Sequence, residues 1–261
     1  MSLIYLDDLR LNAEIIGPAE APAVVLIHAL GTNLTLWDAV VAALPDTRIL
    51  RFDIRGHGRS DVPTPPYAMG ALIRDAEKLL DHFRLKDAVV VGVSLGGLIA
   101  QGLATKRLDL VRALVLSNTA PKIGNPSIWA QRSAEIAATG LAAYAPGAMG
   151  RMLGRNWAEH PAMPILHQML VTMDPQGWIG CAGAISGTDF YTTTAALTLP
   201  TLVVAGTNDG STPPDLVRET ADLILGSRFE LLRGAGHLPM LDSPDAFVAV
   251  LKDFLRAIAH L

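Results

Sequence analysis

The sequence predicts an α/β fold, in which a mostly parallel central sheet carries helices on both faces. Short apolar runs rich in β-branched residues lack the alternation of half-exposed strands, so they indicate strands covered on both faces. Amphipathic stretches of helical period separate these runs, as is typical of a sheet with right-handed crossovers. The predicted strands are 23–28, 48–53, 87–92, 112–118, 201–206 and 227–232, and the predicted helices are 34–44, 69–83, 95–106, 213–225 and 246–258.

Two segments depart from this alternation. Residues 3–16, with the turn signal Asp7-Asp8, predict a short antiparallel hairpin at the sheet edge. Residues 119–199 contain prolines, glycines and helical stretches without an intervening strand. We therefore expect a core of residues 1–118 and 200–261 and a helical cap insertion, 119–199, over the carboxyl edge of the sheet, where α/β folds bind ligands. A loop without defined helices is the alternative for the insertion.

Composition and charge narrow the classes of function. The 261 residues are 50% hydrophobic and 18% charged, which is typical of one globular domain. A net charge of −4 argues against a nucleic-acid partner, because phosphate binding needs a basic surface. The chain shows no signal peptide and no apolar run of the ~18 residues that a membrane helix needs. We expect a cytoplasmic protein, a monomer or small homo-oligomer, without a membrane partner.

Residues 92–96 read Gly-Val-Ser-Leu-Gly, between a predicted strand and a predicted helix. This is the G-x-S-x-G pattern of a nucleophile elbow, in which a strained turn lifts the serine clear of the sheet. Small neighbours are needed because the backbone is crowded there. Ser94 is therefore the candidate nucleophile; the alternative is an ordinary tight turn. The single cysteine, Cys181, is interpreted as a buried apolar residue, since no activating base lies beside it in the sequence.

A serine nucleophile needs a base, and the base needs an orienting carboxylate. His237 lies on a Gly-rich loop between the last predicted strand and the final helix, so it is the candidate base. Asp209 follows the strand 201–206 and is the candidate acid, in the chain order Ser, Asp, His. The acid could instead follow the preceding strand, but Asn118 stands there and carries no charge.

Tetrahedral intermediates of acyl transfer need two preorganised N–H donors. The backbone N–H of Leu95, directly after Ser94, is one candidate, and that of Leu30, in the loop after strand 23–28, is the other. His28 is interpreted as a residue that holds this loop. The cluster of residues 55–61 is interpreted as a rigid turn. The chain shows no motif for a metal or another cofactor.

Together these segments resemble the α/β hydrolases over essentially the whole chain. The segments are His28-Ala-Leu-Gly31, Asp53-Ile-Arg-Gly-His-Gly-Arg-Ser60, Gly92-Val-Ser-Leu-Gly-Gly97, Gly206-Thr-Asn-Asp209 and Gly236-His237. Others resemble the 3-oxoadipate enol-lactonases of bacterial aromatic degradation: Leu30-Gly-Thr-Asn33, Asn118-Thr-Ala-Pro-Lys-Ile-Gly124 and Ile128-Trp-Ala-Gln-Arg132.

The second resemblance implies hydrolysis of the enol-lactone of 3-oxoadipate, a small substrate bearing a carboxylate. Such a substrate would need one cation in a mostly apolar pocket. Arg132 is the first candidate and Lys122 the second, with Trp129 as a candidate apolar wall. The alternative for Arg132 is a solvated charge on a helix face, and the alternative for Trp129 is simple packing within the cap.

Two other classes of function remain open. The first is another Ser-His-Asp hydrolase, such as a carboxylesterase, a perhydrolase or a carbon–carbon bond hydrolase. The second is a non-catalytic ligand-binding protein of the same fold. Proteins of that kind often lose a member of the triad, whereas Ser94, Asp209 and His237 are all present.

Overall fold

The computed structural model describes residues 1–154 and 156–261, and within them eight strands form one sheet. The strands are β1 (Ser2–Leu6), β2 (Leu9–Ile16), β3 (Ala23–Ile27), β4 (Arg48–Phe52), β5 (Ala88–Val93), β6 (Val111–Ser117), β7 (Thr201–Gly206) and β8 (Arg228–Leu232). Their order across the sheet is β1-β2-β4-β3-β5-β6-β7-β8. β1 pairs with β2, and β2 with β4, in antiparallel fashion, and the other pairs are parallel. The predicted α/β class and the edge hairpin are confirmed.

The described helices are α1 (Asp38–Ala43), α2 (Met69–His82), α3 (Leu95–Lys106), α4 (Pro126–Leu153), α5 (Met163–Val171), α6 (Pro175–Ser186), α7 (Tyr191–Ala195), α8 (Pro214–Leu223), α9 (Pro239–Asp242) and α10 (Pro244–Ala257), with short 3-10 helices at Leu34–Trp37 and Trp157–Glu159. One set of contacts runs through α2, α3, α7 and α8, and another joins α1, α9 and α10. These two sets cover the two faces of the sheet. The helix predicted over 34–44 begins as a 3-10 turn, Leu34–Trp37, and the Asn33 side chain caps this turn by accepting a hydrogen bond from the Thr35 N–H.

The core lies around the central strands. Every residue of β3, β5 and β7 is buried, as their unbroken apolar runs predict for strands with helices on both faces. The edge strands are partly exposed. Because the parallel strands end at one edge of the sheet, the loops after β3, β5, β7 and β8 meet there, and these loops carry Leu30 and the candidate catalytic residues.

The inserted segment, residues 119–199, is largely helical where the structure describes it. It leaves the sheet after β6 and returns before β7. The Asn125 side chain caps its long helix α4 by accepting a hydrogen bond from the Ile128 N–H at 3.0 Å. α4 is interrupted at Gly140, whose φ of 78° is open to glycine but costly for other residues. None of the helices in the described ranges combines the length and apolar character that crossing a bilayer requires.

Candidate active site

Ser94 occupies the turn between β5 and α3 in a strained backbone conformation, with φ 55° and ψ −117°. The turn is so tight that only glycine fits on either side of it. A Cβ on Gly92 would lie 2.2 Å from the Gly96 carbonyl oxygen. A Cβ on Gly96 would lie 2.2 Å from the Ile27 carbonyl oxygen. The Thr119 hydroxyl donates a 2.8 Å hydrogen bond to the Ser94 carbonyl oxygen. The geometry is that of the predicted elbow.

His237 and Asp209 lie together although 28 residues separate them in the chain. The Nδ1 of His237 is 2.8 Å from Oδ2 of Asp209, and both side chains are almost wholly buried. An ionised carboxylate can only accept a hydrogen bond, so Nδ1 carries the proton. The lone pair of His237 is therefore on Nε2, where a base must present it.

Four further hydrogen bonds reach the carboxylate of Asp209. Asn118 Nδ2 and the Thr212 hydroxyl donate to Oδ2 at 2.9 and 2.8 Å, and the N–H groups of Ser211 and Thr212 donate to Oδ1 at 2.7 and 3.0 Å. Burial acts to raise the pKa of this carboxyl. The charge of His237 and the hydrogen bonds outweigh burial, so the pKa of Asp209 lies below its usual value. The carboxylate is therefore ionised at neutral pH.

Ser94 and His237 line the same cavity, at the carboxyl edge of the sheet. Within residues 1–154 and 156–261, no hydrogen bond joins the Ser94 hydroxyl to His237 Nε2. Hydrogen bonds of this kind commonly tighten only when substrate is bound. The structure thus brings together the Asp209–His237 pair and places Ser94 in the same cavity.

The two backbone donors predicted for an oxyanion hole are available. In the loop after β3, the Ala29 N–H donates to the Thr32 hydroxyl at 3.1 Å and the Gly31 N–H to His57 Nε2 at 3.1 Å. Between them the Leu30 N–H has no acceptor among the described residues, and the same holds for the Leu95 N–H at the start of α3. Leu30 also lines the cavity. Both groups can therefore donate to a bound oxygen.

Two buried histidines hold the Leu30 loop. His28 Nδ1 lies 2.8 Å from the Ala29 carbonyl oxygen, and His28 Nε2 accepts a 2.9 Å hydrogen bond from the Ile54 N–H. Burial lowers the pKa of His28 to about 4 and that of His57 to about 3. Both imidazoles are therefore neutral, which their roles as hydrogen-bond acceptors require. The sequence indicated a loop-holding role for His28 but not for His57.

The cavity is small, about 50 Å³. Aromatic and aliphatic side chains form most of its wall, together with two guanidinium groups, and none of the described lining residues is a carboxylate. The lining comprises Leu30, Ser94, Ile123, Trp129, Arg132, Tyr144, Ala148, Arg151, Met152, Leu170, Trp178, Ile185, Ser211 and His237. Within the two described ranges no cluster of His, Cys, Asp or Glu is arranged to hold a metal ion.

Two of the three predicted substrate-binding residues line the cavity, and the third does not. Trp129 and Arg132 line the cavity, and the Arg132 guanidinium lies 5.1 Å from the centre of the Trp129 ring. Lys122 lies outside the cavity, where its ammonium pairs with Asp189 at 3.0 Å on the exposed surface. Cys181 also lies outside it, and burial raises the pKa of its thiol, as for an inert buried residue.

The end of α4 is hydrogen-bonded to both loops behind the Asp209–His237 pair. The Gly210 N–H donates to the Arg151 carbonyl oxygen at 2.9 Å, and the His237 N–H donates to that of Met152 at 2.7 Å. The sequence pattern did not indicate this link, and it did not indicate Arg151 and Tyr144 as lining residues. A second arginine 19 positions after Arg132 was the one available signal.

A model of the alpha/beta hydrolase family matches residues 24–250. The chain belongs to this family. The hydrolase is 31% identical over 254 residues to 3-oxoadipate enol-lactonase 2 of Acinetobacter baylyi, with 95% of each chain covered. It is 29% identical over 260 residues to a pimeloyl-[acyl-carrier protein] methyl ester esterase of Neisseria meningitidis, covering 92% of this chain and 96% of that protein.

Solved structures show the same relationship. The hydrolase matches the enol-lactonase from Burkholderia xenovorans with a TM-score of 0.94 and 32% identity, covering 98% of this chain and 100% of that chain. These similarities and the site geometry agree on the chemistry, and the protein is a carboxylic ester hydrolase.

Proposed function

We propose that this hydrolase opens the ring of 3-oxoadipate enol-lactone to give 3-oxoadipate, a reaction of aromatic-compound degradation. The observation that carries the proposal is the cavity, which combines Ser94, His237 and a guanidinium group in a small, mostly apolar space without a carboxylate. This combination suits a compact ester that itself bears a negative charge. The similarity to enol-lactonases over nearly the whole chain supports this substrate.

In the first step Ser94 Oγ attacks the lactone carbonyl carbon while His237 Nε2 takes the hydroxyl proton. Asp209 holds the imidazole in the required tautomer and stabilises its positive charge. The carbonyl oxygen becomes negative, and the N–H groups of Leu30 and Leu95 hold it.

The tetrahedral intermediate collapses by breaking the bond between the carbonyl carbon and the ring oxygen. The ring oxygen leaves as an enolate, which is a better leaving group than an alkoxide and therefore needs little acid assistance. The imidazolium of His237 returns its proton to this group, and the acyl chain stays on Ser94. His237 then takes a proton from water while the water oxygen attacks the acyl carbon. The bond from this carbon to Ser94 Oγ breaks as the imidazolium of His237 returns the proton to Ser94, and the enol relaxes to the ketone.

Arg132 binds the substrate carboxylate in this proposal. Its guanidinium is half-buried beside the Trp129 ring, and burial lowers the pKa of this arginine, so a bound carboxylate would restore the lost solvation. Trp129 is fixed because its indole N–H donates a 2.7 Å hydrogen bond to the Ile123 carbonyl oxygen. The inserted segment, which contributes both residues, acts as a cap over the cavity.

The charge of the cavity lining favours an anionic ester over a neutral one. Two guanidinium groups and no described carboxylate line the cavity, so a negatively charged substrate finds a cation in a mostly apolar wall. Small-ester hydrolysis by the same residues is the second candidate, because the triad and the two N–H donors would serve any compact ester equally well.

The direct test is turnover of the enol-lactone against turnover of p-nitrophenyl acetate. We expect kcat/KM for the lactone to exceed that for the neutral ester by at least two orders of magnitude. Negligible lactone turnover beside efficient ester turnover would overturn the substrate assignment and leave a small-ester hydrolase.

The nucleophile is tested separately with a fluorophosphonate probe. We expect covalent labelling to disappear in Ser94→Ala and to persist in Ser211→Ala, which removes the other serine hydroxyl of the cavity. Labelling that persists in Ser94→Ala, or is absent from the native protein, would contradict the catalytic role of Ser94.

A further inference from the structure

Helix α4 brings a second guanidinium to the cavity, beyond the one assigned to the substrate carboxylate. Arg151 Nη2 donates a 2.7 Å hydrogen bond to the Tyr144 hydroxyl, and its guanidinium lies 5.3 Å from the centre of that ring. Arg132, Tyr144 and Arg151 all line the cavity. The three groups thus form one polar cluster on a wall that is otherwise mostly apolar.

The Tyr144 hydroxyl has a proton to donate and no acceptor for it. Its oxygen accepts from Arg151, so its own O–H is directed elsewhere. Among the described residues no acceptor receives this O–H, although Tyr144 is only 6% exposed. Burial raises the pKa of Tyr144, so the hydroxyl keeps its proton. A buried hydroxyl of this kind is satisfied when a ligand supplies an acceptor.

The charge of the cluster is also unbalanced. Neither Arg132 nor Arg151 forms an ion pair with an acidic residue in the part of the chain that the structure describes, and no described carboxylate lines the cavity. Burial is the largest effect on the pKa of Arg132 and lowers it; the charge of Arg151 acts in the same direction, against the opposing effects of Tyr144 and Glu135. Two partly buried cations that line one cavity are stabilised by bound anions.

We propose that Tyr144 and Arg151 form a second anion site, so that the cavity binds dicarboxylates, with one carboxylate at Arg132 and the other at the Tyr144–Arg151 pair. The inference builds on the proposed function, in which hydrolysis converts a substrate with one carboxylate into a product with two. Once water has released the acyl chain from Ser94, the second site would bind the new carboxylate, which formed from the lactone carbonyl. The expected ligands are linear diacids of about the length of the product, and adipate is a stable one.

The test compares adipate with monomethyl adipate, which has the same length and one charge less. Each is measured as a competitive inhibitor of p-nitrophenyl acetate hydrolysis. We expect native protein to bind adipate about tenfold or more tightly than its monomethyl ester, because a charge-assisted contact is lost in the ester. Equal inhibition by the two compounds would overturn the proposal.

Substitutions test which residues bind the second carboxylate of adipate. Arg151→Met should remove most of the adipate preference, and Tyr144→Phe should lower it several-fold while keeping the aromatic ring. Arg218→Met is the matched control, since Arg218 also lies over an aromatic ring, that of Phe229, but on the exposed surface outside the cavity. A preference unchanged in both Arg151→Met and Tyr144→Phe would overturn the proposal, and so would a loss in Arg218→Met equal to theirs. Fluorophosphonate labelling of Ser94 checks that each variant is folded.

Different results would overturn the second anion site and the proposed lactonase function. A protein that prefers adipate but does not hydrolyse the lactone retains the dicarboxylate site and loses the substrate assignment. A protein that hydrolyses the lactone but does not distinguish adipate from its monomethyl ester retains the proposed function and has no second anion site.

Discussion

The backbone N–H of His237 donates a 2.7 Å hydrogen bond to the carbonyl oxygen of Met152, at the end of helix α4. The preceding residue of that helix, Arg151, accepts a hydrogen bond from Gly210 in the loop that carries Asp209. The inserted segment therefore contacts both loops that hold the acid–histidine pair. A shift of this helix end relative to the sheet would move the imidazole, because the hydrogen bond from Met152 is made to the backbone of residue 237 itself.

Gly236→Ala should weaken this connection. A Cβ at residue 236 would lie 2.2 Å from the Met152 carbonyl oxygen, so the histidine loop and the helix end must separate. We expect kcat to fall by about tenfold to a hundredfold, since displacements near 1 Å have effects of that size. Steady-state kinetics with p-nitrophenyl acetate measures the change, and circular dichroism checks the fold.

Gly70→Ala is the control for this substitution, because a Cβ there has no neighbour within 4 Å. It should leave kcat unchanged. Native kinetics in Gly236→Ala would show that the contact with Met152 does not position His237.

Asn118→Asp should disturb the ionisation of Asp209. Asn118 Nδ2 donates to Asp209 Oδ2 at 2.9 Å, and the substitution replaces this donor with a second carboxylate. Two adjacent carboxylates resist joint ionisation, so the pKa of Asp209 should rise. We expect the acid limb of the profile of kcat/KM against pH to move to higher pH and activity at pH 7 to fall about tenfold.

The control is Asn208→Asp, which adds the same charge on the loop of Asp209, at an exposed side chain that donates to the Gly234 carbonyl oxygen and not to the Asp209 carboxylate. Its pH profile should follow that of the native protein. Coincident profiles for Asn118→Asp and Asn208→Asp would rule out a direct effect of Asn118 on the acid.

Asp75→Asn should reduce stability without changing the site. Asp75 forms a bidentate pair with Arg55 at 2.6 and 2.7 Å, and both side chains are largely buried. Removing one partner leaves a poorly solvated guanidinium, so the free energy of unfolding should fall by about 3 kcal/mol. Urea denaturation measures this, and fluorophosphonate labelling of Ser94 should remain.

Asp81→Asn, on the same helix α2, is the matched control. Asp81 pairs with Arg107 at the surface, where solvent screens the charges, so the expected loss is about 0–1 kcal/mol. Equal losses in the free energy of unfolding would show that the buried Arg55–Asp75 pair stabilises the fold no more than a surface ion pair does.

The two buried histidines should make the protein less stable in acid. Their folded-state pKa values, about 4 for His28 and about 3 for His57, lie below the unfolded value of about 6.5. The unfolded chain therefore binds more protons between these limits, and stability present above pH 6.5 is lost as pH falls. Between pH 7 and pH 5 the free energy of unfolding should drop by about 2 kcal/mol per histidine.

Urea denaturation at the two pH values measures this loss. In His57→Gln, which cannot be protonated in this range, the drop should be smaller by the contribution of one histidine. An equal drop in the variant and the native protein would show that His57 does not couple protonation to unfolding.

The sequence was sufficient to predict the strands of the sheet, most of the helices outside the inserted segment and the strained turn at Ser94. The limits of β7 and α3 agree with prediction, because their apolar pattern reflects burial that the whole fold imposes on each residue. The turn at Ser94 is equally local, since Gly92 and Gly96 are the residues that its crowded backbone demands. Helix α9 escaped prediction because four residues are too few to show a helical period.

The sequence by itself therefore determined the fold class, the strained turn at Ser94 and the chain order of Ser94, Asp209 and His237, since these depend on short-range spacing and on burial. Tertiary structure alone decided that Arg151 and Tyr144 enter the cavity while Lys122 stays at the surface, and that Met152 holds the His237 loop. These contacts depend on where α4 crosses the sheet edge. That crossing is set by packing among residues far apart in the chain, which no local pattern encodes.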